Sequence, residues 1–128
     1  MQENNLFEYA ILRIVPRVER EEFLNVGVIL YCKPKQFLQL KFTLDEKRMK
    51  ALFPGLDCED VLLHLKAFQQ ISNGETGAGP IALLDPASRF RWLTAKRSTV
   101  VQTSGVHPGL CLDPGETLTR LHEQLVLS

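Results

Sequence analysis

This chain is poor in the residues that announce chemistry. Its cysteines are an odd set of three, Cys32, Cys58 and Cys111. They form no C-x-x-C pair and have no histidine at ligand spacing, which excludes a sequence-encoded zinc site and a disulfide scaffold. Free thiols of this kind fit a reducing, cytoplasmic setting. No apolar run approaches the ~20 residues a membrane span needs, and no signal peptide opens the chain. An excess of either charge is also missing. Fifteen Lys+Arg oppose 15 Asp+Glu, so the domain-wide positive field of most nucleic-acid binders is absent. No Walker loop, G-x-G-x-x-G, G-x-S-x-G or H-E-x-x-H occurs, and neither a cofactor nor a metal is implied.

What is present is ordinary globular material. A length of 128 residues with 45% hydrophobic and 23% charged side chains fits one domain, 1–128, able to bury about two-thirds of its unfolded surface. Residues 1–6 are expected to be disordered. Residues 7–15 are apolar on both faces and read as a central strand, ended by Pro16. Residues 17–22 hold five charges in six positions and read as an exposed connection. Residues 23–32 place Leu24, Val26, Val28 and Leu30 on one face, with Gly27 marking a bulge or close backbone approach. Residues 37–44 alternate with Leu38, Leu40, Phe42 and Leu44 inward. Three strands on short links make an antiparallel meander.

The period then changes. Asp45 can cap a short helix through Phe53, with Met49, Leu52 and Phe53 on its buried side. A second helix is expected over 58–72, burying Val61, Leu62, Leu65, Phe68 and Ile71. Residues 73–80 read as a flexible loop. Asp85-Pro86 starts a third helix through Leu93. Residues 98–103 can return a fourth strand, and 105–113 read as a loop with two turn signals. Asp113, Pro114 and Glu116 start a last helix with Leu118, Leu121, Leu125 and Val126 in one stripe. The sum is α+β, an antiparallel sheet of three to four strands covered by three to four helices.

Two arginine blocks are the candidate binding residues. In the first, Arg13, Arg20, Glu22 and Asn25 meet if the first two strands pair. An arginine in an apolar strand needs a carboxylate or an anionic ligand. The plainer expectation is an internal Arg13–Glu22 pair with Asn25 bonding the bend. The alternative is that Arg13 and Asn25 hold a phosphate or carboxylate. The second block is Arg89, Arg91, Trp92 and Arg97. It suits a small anion or an acidic partner better than nucleic acid, given the balanced charge. Ser98, Ser104 and Thr94 lie near His107 and Asp113 in sequence, without the context that activates a catalytic serine. His64 and His122 fall at helix positions that can face solvent.

Arg13-Ile14-Val15-Pro16, then Arg20-Glu21-Glu22-Phe23-Leu24-Asn25-Val26-Gly27-Val28, resemble the opening of the DUF3037 family, small bacterial proteins of unknown function. Residues 89–98 and 110–126 are similar to its later blocks. The family often has a small residue where this chain has Glu21 and a proline where it has Lys96. The resemblance carries no activity over residue by residue. It does imply a partner or a shared pathway, because these genes often lie beside those of HipA-like kinases. The expectation is therefore a non-catalytic cytoplasmic interaction or regulatory module. The alternative is an enzyme or sensor binding a small anionic metabolite or nucleotide through Arg13, Asn25 and Arg91. The pattern leaves oligomeric state open.

Overall fold

The computed structural model describes residues 4–128. The strand β1, Asn5–Ile14, sends Phe7 and Tyr9 to one face and Ala10, Leu12 and Ile14 to the other. A strand apolar on both sides is stable only in the middle of a covered sheet, and there it lies. β2 (Leu24–Cys32) pairs with it antiparallel, and β3 (Phe37–Phe42) pairs with β2. On its other side β1 carries two short antiparallel strands end to end. β4 (Val101–Thr103) pairs with residues 12–14 and β5 (His107–Cys111) with residues 5–9. The sheet therefore has five strands, one more than the sequence pattern suggested. Of the 1–6 segment expected to be disordered, Asn5 and Leu6 belong to β1, and residues 1–3 lie outside the described residues.

Helices cover both faces. On one, α1 (Glu46–Leu52), α2 (Cys58–Ser72) and α3 (Pro86–Leu93) bring Met49, Val61, Leu65, Phe68, Phe90 and Leu93 against Ala10, Leu12, Ile14, Ile29, Leu38 and Leu40. On the other, α4 (Pro114–His122) and a wider π-helical turn over Glu123–Leu127 lay Leu118, Leu121 and Val126 on Phe7, Val28, Leu30, Cys32 and Cys111. Each α-helix starts on an aspartate that accepts backbone N–H groups of its first turn: Asp45, Asp57, Asp85 and Asp113. Such caps satisfy donors the helix itself cannot.

Four further expectations change. Leu24, Val26, Val28 and Leu30 do not share a face. Leu12 pairs with Gly27 but Arg13 pairs with Asn25, so Val26 is an extra residue in a β-bulge. Alternation reverses there, and Leu24 and Val26 join the α1–α3 face while Val28 and Leu30 stay under α4. Second, α1 stops at Leu52, with Phe53 closing it by its N–H on the Met49 carbonyl. Leu52 is 52% exposed rather than buried. Third, residues 107–111 form a strand, although His107-Pro108-Gly109 reads as a turn. Pro108 is tolerated because β5 is an edge strand, and Gly109 leaves room for the Phe7 ring, which a Cβ would strike. The 73–80 segment is a loop only to Gly79, since Pro80–Leu83 forms a 3-10 turn.

Candidate functional site

The β1–β2 connection stands between two clefts. Its middle is a 3-10 turn, Val18–Arg20, closed by Glu21 in the left-handed conformation at φ 54 and ψ 26. Arg17 pairs with Glu19 at 2.8 Å, and Arg20 pairs with Glu22. The Glu22 hydrogen bond, then its charge, raises the pKa of Arg20. On one side of the connection is a cleft of about 420 Å³ lined by Pro16, Arg17, Arg20, Glu22, Leu52, Phe53, Pro54, Gly55 and Leu56. On the other is a cleft of about 360 Å³ lined by Arg13, Val15, Val18, Glu21, Glu22, Phe23, Gln102 and Thr103. Glu22 borders both.

The expected Arg13–Glu22 pair does not form, because Arg20 takes Glu22. Among the described residues no carboxylate oxygen lies within 4 Å of the Arg13 guanidinium, and no hydrogen bond satisfies it. Its Nε is buried without a partner. What it has instead is the Phe23 ring, 4.0 Å from the guanidinium carbon. Asn25 does not bond the bend either. Its Nδ2 donates to the Leu125 carbonyl at 3.4 Å, in the π-helical turn after α4, and its Oδ1 is buried unpaired. Register explains the setting. Arg13 lies opposite Asn25 on β2 and opposite Gln102 on β4, so three polar side chains make a row across neighbouring strands on one face. The bulge puts Asn25 in that row.

The second block comes apart. Arg89 turns inward, its terminal nitrogens donating to the Leu84 carbonyl at 2.7 Å and the Ser72 carbonyl at 3.5 Å. It fastens the end of α2 to the start of α3. Arg97 donates to the Trp92 carbonyl and lies between two rings, 4.5 Å from the Trp92 centroid and 5.0 Å from that of Phe68. Burial lowers its pKa, and its place after α3 favours a cation. Trp92 is 40% exposed beneath it. Arg91 makes no side-chain hydrogen bond or ion pair among the described residues. It lines a separate cleft of about 340 Å³ with Leu6, Glu8, Tyr31 and Lys33. Neither cleft at the β1–β2 connection contains a residue of this block, so the structure does not join Arg91 to Arg13 and Asn25.

The serine and histidine candidates have other engagements. Ser104 Oγ accepts from the Ile11 N–H and donates to the Gly105 carbonyl, locking the turn between β4 and β5. His107 rests on Tyr9, and Asp113 caps α4. His122, expected to face solvent, is 3% exposed with its Nε2 3.1 Å from Thr43 Oγ1. Burial and then the Lys41 charge lower its pKa, against a smaller opposing effect of Glu123. Among the described residues no three His, Cys, Asp or Glu side chains converge to hold a metal, and no helix is long and apolar enough to cross a membrane. Cys32 and Cys111 are buried and free, and burial raises the Cys111 thiol pKa, with Cys32 beside it adding to the effect.

Sequence reasoning missed Glu21, Phe23, Leu52 and Gln102. Gln102 had a signal, a long polar side chain inside Val-Val-Gln-Thr. Leu52 had none, since its exposure follows from where α1 ends. A family model described as a protein of unknown function, DUF3037, matches residues 9–126. No curated protein and no solved structure matches the chain.

Proposed function

The chain belongs to the DUF3037 family, whose description names no activity, and on that premise we propose that it is a non-catalytic interaction module acting at the β1–β2 connection. The observation that supports this reading is the cleft of about 420 Å³ there. Its lining is apolar in Leu52, Phe53, Leu56 and two prolines, and it also holds Arg17 and Arg20, each already paired with a glutamate. Val18, Phe23 and Leu52, all large and exposed, gather around the same connection. Apolar surface joined to polar, internally neutralised side chains is how protein interfaces are composed. The occupant this cleft fits is an apolar side chain of a protein partner. The bacterial, cytoplasmic assignment and the HipA-like kinase as that partner come from the family resemblance and the free thiols.

The test is direct binding of the purified chain to a purified HipA-like kinase by calorimetry. Leu52→Asp should weaken binding at least about fivefold, since truncating an interface anchor costs more than about 1 kcal/mol. Arg91→Ala, remote from the cleft, should leave it unchanged. Absence of binding, or loss with Arg91→Ala and not with Leu52→Asp, would refute this surface.

A further inference from the structure

We propose that the cleft at Arg13 binds a small zwitterion of the α-amino-acid class, its carboxylate on the Arg13 guanidinium and its ammonium on the Glu21 carboxylate. Arg13 is the starting point. It is half-buried, its Nε is buried without a partner, and none of its nitrogens donates to a described residue. The Phe23 ring, 4.0 Å from its guanidinium carbon, restrains the fork, which is the preorganisation that carboxylate recognition uses. The two arginines nearest in sequence, Arg17 and Arg20, are neutralised by Glu19 and Glu22.

The acidic side of the cleft selects among anions. Glu22 is taken by Arg20, whereas the Glu21 carboxylate makes no ion pair or hydrogen bond among the described residues. Glu21 is held at φ 54 by its N–H on the Val18 carbonyl, a backbone conformation uncommon for a residue with a side chain. The cleft thus offers one free cation and one free carboxylate, with a second carboxylate nearby. A phosphate dianion would meet the free Glu21 carboxylate beside a single guanidinium, an unfavourable balance. A zwitterion matches both charges. At about 360 Å³ the space is at the small end of ligand pockets, which suits one amino acid rather than a nucleotide. Val15 and Val18 supply an apolar wall for its side chain.

Thermal unfolding of the full chain, with each of the standard L-amino acids at about 10 mM, tests this, because a ligand of the folded state raises Tm. At least one should raise it by several degrees. Its N-acetyl and carboxamide derivatives, which remove one charge each, should bind at least about fivefold more weakly, and inorganic phosphate should give no shift. Glu21→Gln should weaken the free amino acid at least about fivefold yet leave the N-acetyl form unaffected, and Arg13→Gln should abolish the response. No shift with any free amino acid, an equal shift with its N-acetyl form, or a shift with phosphate would overturn the proposal. The derivative series uses the unsubstituted chain, so it decides even if Arg13→Gln does not fold.

Discussion

Replacing Gly27 by alanine tests the feature that organises both the sheet and the polar row. Gly27 is the β2 residue opposite Leu12, directly beside the bulge, and it also pairs with Phe42 on β3. A Cβ built there would lie 2.8 Å from the Lys41 carbonyl oxygen and 2.9 Å from Phe42 Cβ. Neither atom can rotate away, because one is backbone and the other is fixed to it. The β2–β3 ladder must therefore separate locally. Forcing one methyl into a packed site costs about 1–3 kcal/mol. The alanine lowers unfolded-chain entropy, which returns about 0.4–1 kcal/mol. The net expectation is a loss of about 1–2 kcal/mol, or about 4–8 °C in Tm for a chain of this size. Calorimetry or circular dichroism melting measures it. Gly105→Ala is the control, since a Cβ there meets nothing within 4 Å, and its Tm should hold or rise slightly. A Gly27→Ala Tm within a degree of the original chain, or above it, would refute the steric reasoning.

Arg97→Ala should remove two ring contacts and a hydrogen bond to the Trp92 carbonyl. A loss of about 1–2 kcal/mol is expected, with a red shift in the emission of Trp92, the single tryptophan. Asp113→Ala should cost about 1 kcal/mol by uncapping α4, read from the denaturant midpoint. For His122 the folded pKa is lowered by burial. Above the unfolded value of about 6.5 both states are neutral and its titration contributes nothing; as pH falls below it the unfolded chain takes up the proton first, so stability drops. Denaturant midpoints between pH 8 and pH 5 should fall for the original chain, and less steeply for His122→Gln. Equal slopes would show that His122 is not responsible.

Periodicity carried most of the architecture. A run apolar on both faces identified β1 as central, and three aspartates at caps, Asp45, Asp85 and Asp113, placed three of the four helix starts, because both signals are local and obligatory. Where local signals conflicted with packing, packing won. His107-Pro108-Gly109 is turn-like by composition, yet it lies flat beside β1 because a glycine opposite Phe7 and a proline on an outer edge both suit that position. The Val26 bulge could be suspected from Gly27, but its consequence could not. Which of Asn25 or Val26 faces Arg13 depends on one residue of register, and register is a property of two strands together.

The arginines divide differently from their grouping in the sequence. Periodicity grouped Arg13 with Glu22 and Arg91 with Arg97 because each pair is close in sequence or across a presumed hairpin. The structure matches charges by reach instead. Arg20 is two residues from Glu22 and takes it, Arg97 folds back over α3 onto Trp92, and Arg89 finds two carbonyls left open at the ends of other segments. Each of these pairings relieves a side chain that would otherwise suit a ligand. Arg13 cannot follow them, since a strand fixes its Cα between Asn25 and Gln102, and their amides are turned to Leu125 and Thr99. A guanidinium with a buried, unpartnered Nε and no hydrogen bond or ion pair among the described residues, lying against the Phe23 ring, is incomplete from within those residues. Desolvating such a group without a partner is unfavourable, and an external carboxylate is the chemistry that would complete it.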